Sequence, residues 1–245
     1  MTGLIYEHPL NEKVRGYLRI EHLLDRLQKL SDADTLTDPL AFFHAIFETF
    51  ELLEPLAVKT ELLKDLNKEK QKLRHWFSVE GVDHSMVQNW INQIDEAYKI
   101  LKNTGRFHHQ LQNDRFLAGI RPRFTIAGGC CSFDIPALHY WLNRLSSEQQ
   151  TDRQRWWLIF APLHNALSLW LLLIRQSGMH SKECAEQGFF QHIAEQENLI
   201  RLVIPKDCLF FPMISGTKRR FSVRFLPIKD NQILPETLPF QLIVC

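Results

Sequence analysis

The sequence lacks most of the features that mark secreted, metal-binding or nucleotide-binding proteins. Its five cysteines, Cys130, Cys131, Cys184, Cys208 and Cys245, are few, odd in number and scattered, unlike a disulfide framework. No CxxC pair, HExxH, GxGxxG or Walker A loop occurs, so no local motif calls for a metal or nucleotide cofactor. The opening MTGLIYEHPLNEK has no basic segment leading into an apolar stretch, so no secretory signal is expected. Internal repeats and low-complexity tracts are missing as well. A net charge of +1 gives no global attraction to nucleic acid or to an acidic membrane, and recognition by charge must come from local patches. Together these absences point to a protein of the reducing cytoplasm.

What is present suits a globular chain. The 45% hydrophobic and 23% charged content is ordinary, and 245 residues can bury a real core in one large domain or two modest ones. Residues 156–174 form a 19-residue, mainly apolar run between Arg153, Arg155 and Arg175, about the length that crosses a bilayer. Pro162, His164, Asn165 and Ser168 interrupt it, and basic residues flank both ends. A buried central helix is therefore expected, not membrane insertion.

The first two-thirds carries helical periodicity. Val14, Leu18, Leu23, Leu24, Leu27 and Leu30 share a face over residues 11–30. A second helix begins near Thr37 or Asp38 with Pro39 in its first turn and carries Phe42, Phe43, Ile46, Phe47 and Phe50. Pro55 can open a third, strongly charged in its second half, and Asp83 can cap a fourth that runs to about residue 101. Residues 107–120, 136–146 and 150–176 are further helices. After Gly178 the runs become short and β-favouring, punctuated by Pro205, Pro212, Gly216, Pro227 and Pro235. Helices followed by strands predict an α+β fold. Residues 1–177 are a mainly α-helical domain, and residues 178–245 a smaller antiparallel β-strand domain. Residues 123–126 are one more strand candidate for the same sheet.

Between Asp207 and Asp230 there is no acidic residue, yet Lys218, Arg219, Arg220, Arg224 and Lys229 lie in that interval. Ser215-Gly216-Thr217 is the expected turn joining LFFPMI to KRRFSVRF. Alternation along the second strand puts Phe221, Val223 and Phe225 on one face and Arg220, Ser222 and Arg224 on the other, with the two arginines about 13 Å apart. Guanidinium groups so placed suit carboxylates, which they clasp bidentately. The plainer reading is a solvated strand face that blocks edge-to-edge aggregation. The missing acids favour binding, because a merely soluble face mixes signs. Arg115, Arg121 and Arg123, with Arg106 nearby, form a second basic region, and Arg15 and Arg19 share a helix face. For these, surface salt bridging worth under about 1 kcal/mol per pair is the alternative.

Catalytic readings are weaker. In Gly128-Gly129-Cys130-Cys131-Ser132-Phe133-Asp134, with His139 nearby, Cys131, His139 and Asp134 supply the residue types of a thiol nucleophile, its base and a third, orienting group. The segment reads more simply as a Gly-Gly turn entering a strand, with small packed cysteines and Asp134 or a neighbour capping the helix near Pro136. Ser215-Gly216-Thr217-Lys218 matches SxxK only formally, since that chemistry needs a helix beneath a pocket. His108-His109 has no companion ligand pair at metal-binding spacing. An enzyme is not expected.

Blocks spread along nearly the whole chain carry a resemblance. They are Tyr6-Glu7-His8-Pro9-Leu10-Asn11-Glu12-Lys13 with Arg15 and Leu18-Arg19-Ile20-Glu21, Thr60-Glu61-Leu62-Leu63-Lys64, and Gly128-Gly129-Cys130-Cys131-Ser132-Phe133-Asp134 with Leu138-His139. Leu173-Ile174-Arg175-Gln176-Ser177, Ser215-Gly216, Lys218, Arg220-Phe221 and Val223-Arg224-Phe225 complete them. In order and spacing they resemble the ZapD family of Z-ring-associated division proteins. The resemblance implies a helical domain plus a β-strand domain, a homodimer, and no catalysis or cofactor. It implies binding to the C-terminal tail of FtsZ, the tubulin-like division GTPase, and crosslinking of FtsZ filaments into bundles at the mid-cell ring. The basic contacts it implies are Arg15, Arg19, Arg115, His139, Arg220 and Arg224; charge clustering adds Lys218 and Arg219. The rival reading is a nucleic-acid-binding module, in which Phe210, Phe211, Phe221 and Phe225 interleave with the hairpin cations.

Overall fold

The computed structural model describes residues 3–35, 37–54, 57–77, 79, 81–105, 107, 112–194, 197–217, 219–229 and 232–245. The architecture is α+β, as the order of helical and strand-like texture predicts. The chain divides into two compact units, one drawn from residues 1–19 and 171–245 and the other from residues 20–170.

Eight helices occur among the described residues: α1 Glu12–Asp32, α2 Leu40–Leu53, α3 Val58–Trp76, α4 His84–Asn103, α5 Arg115–Phe124, α6 Pro136–Leu142, α7 Ser146–Trp157 and α8 Ala161–Gln176. The division between units falls within α1 and within α8. Capping explains several of the starts. Asp83 Oδ1 accepts the N–H groups of Ser85 and Met86, and Asp114 Oδ1 those of Phe116 and Leu117, satisfying donors that a helix leaves unpaired. Pro55, expected at the head of α3, lies outside the described residues.

The expected helix over 150–176 is in fact two, α7 and α8, bent by 61°. Pro162 has no N–H to offer Leu158, and its ring crowds that carbonyl, so the ladder cannot pass through. Among the described residues no single helix is long and apolar enough to cross a membrane; the bent pair passes on length and composition alone. Its apolar residues are largely buried: Trp156, Trp157, Phe160, Leu163, Leu167, Trp170, Leu171 and Ile174 are all in the core.

The helical unit packs around aromatic rings. Phe43, fully buried, has ring centroids at 5.0 Å from Trp141 and 5.9 Å from Phe116, Phe124 and Trp156. Trp156 donates its indole N–H to Asp114 Oδ2 at 2.8 Å. Arg153 is 1% exposed yet satisfied, because Nε and Nη2 donate to the carbonyls of Leu30 and Ala33 at the end of α1. Residues 123–126 are not a strand. Arg123 and Phe124 form the last turn of α5, and the Phe124 ring packs on Phe43, His44 and Phe47. Helical packing of that one ring overrides the local β-preference.

The other unit is built on a seven-stranded antiparallel sheet in the order β1-β4-β7-β2-β3-β6-β5. The strands are β1 Gly3–Pro9, β2 Met179–Glu186, β3 Phe189–Ile193, β4 Leu199–Pro205, β5 Phe210–Thr217, β6 Arg220–Pro227 and β7 Thr237–Val244. β1 and β2 were not expected from the sequence. β1 precedes every helix, yet it pairs with β4 along its whole length, Gly3 opposite Pro205 and Pro9 opposite Leu199. The texture change at 177/178 therefore follows the linear chain, while the first strand belongs to the sheet.

One face of all these strands encloses a shared interior that includes Leu10, Ile200, Leu202, Phe221, Val223, Phe225, Phe240 and Leu242. The sheet curls, so that Leu10, just after edge strand β1, reaches Gly216 on the opposite edge strand β5. A Cβ on Gly216 would lie 2.5 Å from Phe221 Cβ and 3.2 Å from Leu10 Cδ2. Gly216 is thus needed for close approach inside a strand. The expected turn at Ser215-Gly216-Thr217 is corrected accordingly, since Thr217 still pairs with Arg220.

The entry to the sheet is held by charge. Arg175 Nε and Nη2 donate to the two carboxylate oxygens of Glu7 at 2.9 and 2.8 Å, and Arg201 Nε lies 2.9 Å from Oε1. The three side chains are 18–22% exposed.

Two stability outcomes are expected in urea denaturation followed by tryptophan fluorescence. Phe43→Ala should cost about 3–5 kcal/mol through the cavity it leaves. Glu7→Ala should cost about 2–3 kcal/mol, because two arginines with little access to water lose their carboxylate.

Candidate basic binding surface

β6 carries the centre of the basic surface. As the alternation predicts, Phe221, Val223 and Phe225 are buried at 1%, 0% and 0%, whereas Arg220 and Arg224 are exposed on the outer face. Phe221 and Phe225, two of the four rings in the nucleic-acid alternative, are buried, whereas Phe210 and Phe211 are half-buried.

Strand pairing shows what surrounds the arginines. Directly opposite residues in an antiparallel sheet share a face about 4.5–5.5 Å apart. Arg220 is opposite Ile193 of β3 and Thr217 of β5; Ser222 is opposite Gln191 and Ser215; Arg224 is opposite Phe189 and Met213. The outer face is therefore two cations, a polar middle row and three exposed apolar side chains, Phe189, Ile193 and Met213. A shallow depression of about 360 Å³ lies among Phe189, Gln191, Ser215, Thr217, Arg220 and Ser222. The sequence reading missed these β3 and β5 contributors.

Arg219 is exposed at the hairpin end, its backbone N–H 3.4 Å from Thr217 Oγ1. Lys218 lies outside the described residues. Among the described residues Arg19, Arg219, Arg220 and Arg224 have no acidic partner. Three other arginines of this unit are used internally: Arg15 donates to Glu12 at 3.1 Å, and Arg175 and Arg201 share Glu7.

Arg15 and Arg19 sit in the first turns of α1. Asn11 caps that helix, its Oδ1 accepting the Val14 N–H at 2.9 Å, and its Nδ2 donates to Asn198 Oδ1 at 3.1 Å. Because Leu10 packs on Gly216, the start of α1 lies beside the hairpin that carries Arg220. His8, on the strand leading into α1, has its imidazole pKa lowered by burial and by the neighbouring Arg15 cation. Its Nε2 is buried without a hydrogen-bond partner.

Arg115 and His139 belong to the helical unit. Arg115 opens α5 and is exposed without an acidic partner among the described residues; His139 is exposed on α6. Arg121 pairs with Glu54 at 3.4 Å, and Arg123 lies 4.0 Å from Asp134. Arg106 and His108-His109 lie outside the described residues.

The Gly-Gly-Cys-Cys segment forms a turn. Gly128 has φ +73°, and Cys131 donates its thiol to the Gly128 carbonyl at 3.1 Å. No strand follows, and Asp134 does not cap α6, whose N-cap is Ile135; the Cys131 carbonyl accepts the N–H groups of Asp134 and Ile135 instead. Burial, with Cys131 and Asp134 beside it, raises the Cys130 thiol pKa, the opposite of an activated nucleophile. Among the described residues no group of His, Cys, Asp and Glu could hold a metal ion.

A family model described as ZapD, cell division protein, matches residues 18–224. Proteins named cell division protein ZapD from Vibrio cholerae and Vibrio parahaemolyticus are 41% and 42% identical over 245 residues, covering both chains completely. One from Photobacterium profundum is 40% identical over 240 residues, 98% of each chain.

The lowered pKa of His8 sets a pH dependence. The unfolded imidazole titrates near 6.5 and the folded one lower, so the unfolded chain binds more protons between the two values. Stability from this site is complete above about pH 6.5 and falls as pH drops towards the folded pKa. Urea midpoints measured across that window should fall less with acid in His8→Phe than in the parent. Arg15→Gln, which removes one of the two causes, should reduce the slope partly.

Proposed function

The chain belongs to the ZapD family of cell division proteins, and within that role we propose that it binds the acidic, apolar C-terminal tail of FtsZ and crosslinks FtsZ filaments. One observation carries this reading: Arg220 and Arg224, unpaired among the described residues, stand on one strand face between exposed Phe189, Ile193 and Met213. A tail with both carboxylates and apolar side chains complements that mixture. The guanidinium groups take carboxylates through charge-assisted hydrogen bonds, and the apolar neighbours cover the tail's own apolar groups.

Arg19 and Arg219 extend the positive field, with Lys218 following from the charge clustering, and Arg15 adds to it while leaning on Glu12. Arg115 and His139 of the helical unit are separate contacts for the same acidic partner. No reaction is needed: the work is binding, in the cytoplasm at the mid-cell ring. A homodimer presents two such surfaces, and tails repeated along a filament provide high effective concentration. Avidity can then exceed single-site affinity by about 10²–10⁴.

Co-sedimentation with FtsZ filaments tests the proposal. The parent protein should pellet with full-length FtsZ and stay in the supernatant with tail-deleted FtsZ. Arg220→Glu combined with Arg224→Glu, still folded and of unchanged oligomeric state, should lose most of the pelleting. Bundling should weaken as added salt shortens the Debye length from about 8 Å towards 3 Å. Unchanged pelleting by the double variant would remove the surface from consideration.

A further inference from the structure

A second feature lies wholly within the helical unit. Between α2 and α5 a cavity of about 270 Å³ opens to solvent, walled by Ile46, Phe47, Phe50, Leu117, Ala118 and Pro122. Its walls are mainly apolar, with Gln112 and Arg121 also on the lining. An apolar cavity of about 150 Å³ already accommodates benzene, so this one has room for a single aromatic or branched aliphatic side chain. It is small for a cofactor or drug-sized ligand, whose sites run to about 300–1,000 Å³.

One cation lies on the cavity lining. Arg121 lies on the lining with its guanidinium 4.1 Å from the Phe50 ring centroid, which holds the cation over the apolar wall. Its pairing with Glu54 at 3.4 Å is partly exposed and so readily exchanged for another carboxylate. Positions 115, 118 and 122 fall at i, i+3 and i+7 along α5, which sets Arg115 one turn from Ala118 on the same stripe. Arg115 has no acidic partner among the described residues. A mainly apolar socket with Arg121 on its lining, and Arg115 one turn of α5 from Ala118, complements an apolar side chain flanked by carboxylates.

We propose that this cavity is an anchor socket for one apolar side chain of an acidic peptide segment, with Arg121 and Arg115 receiving the carboxylates beside it. The identity of the segment rests on the reading above, by which the acidic partner is an FtsZ tail. The socket would then select a tail by its apolar residue as well as by its charge.

Fluorescence anisotropy of a labelled tail peptide with the full chain tests this. Two peptides are compared, the natural tail and one whose apolar residues are replaced by serine with every acid retained. Ala118→Trp, which fills the socket, should weaken the natural peptide about tenfold, the loss expected from one side chain no longer buried. The serine peptide should bind the parent weakly and Ala118→Trp no more weakly still. Should Ala118→Trp melt early, Ala118→Leu fills part of the same space with less intrusion.

Parent-like binding of the natural peptide by folded Ala118→Trp or Ala118→Leu would overturn the socket. If Arg220→Glu with Arg224→Glu abolished binding in the same assay, the tail-binding reading would survive that result. No binding of the peptide by the parent chain would defeat both. A change of oligomeric state in Ala118→Trp with peptide binding intact would assign the cavity to a second copy of the chain and equally overturn the proposal.

Discussion

Glu7 is the side chain on which the strand unit depends most. Its carboxylate receives two hydrogen bonds from Arg175, at the end of α8, and lies against Arg201 on β4. Two guanidinium groups with limited access to water would repel each other if left together, and one carboxylate converts that repulsion into a three-way attachment. The attachment fixes β1 beside β4, and β1 in turn delivers Leu10 and Asn11. Leu10 then reaches Gly216 across the curled sheet, and Asn11 caps α1 while bonding Asn198. The start of α1, with Arg15 and Arg19, owes its place to that sequence of contacts.

The same arrangement explains how a chain of net charge +1 presents a strongly basic face. Cations with structural work are satisfied locally: Arg175 and Arg201 lie against Glu7, Arg15 pairs with Glu12, and Arg153 donates to carbonyls at the end of α1. Those left over, Arg19, Arg219, Arg220 and Arg224, lie on exposed positions where no acid is spent on them. An exposed ion pair contributes under about 1 kcal/mol, so single contacts with a partner are weak as well. Under the proposed function, such a surface suits repeated, salt-sensitive engagement of many identical tails better than one tight grip.

Much of this was legible in the residues. Period-2 alternation placed Arg220 and Arg224 outside and Phe221, Val223 and Phe225 inside, because a strand offers each residue only two faces. Asp83 was recognisable as a cap, and helical spacing marked Phe42, Phe43, Ile46 and Phe47 as core. Errors arose where a distant partner outvoted local preference. Residues 123–126 look like strand, but Phe124 is held in a helix by three aromatic rings of α2. Gly216 looks like a turn, but serves the approach of Leu10 and Phe221. Pro162, noted only as awkward in lipid, divides the apolar run into two helices.

By itself the sequence determined the α+β order, the sidedness of β6, the acid-free interval around the hairpin and, through blocks spread along the chain, the family. Each follows from local periodicity, composition or motif spacing, which need no knowledge of the fold. Tertiary structure alone decided that β1 joins the sheet and that β3 lies beside β6, placing Phe189 and Ile193 next to Arg224 and Arg220. It also decided which arginines are consumed by Glu7 and Glu12 and which remain free to meet a partner. Those outcomes depend on pairing between residues that local chain preferences cannot connect, over separations that only the folded sheet brings within hydrogen-bonding distance.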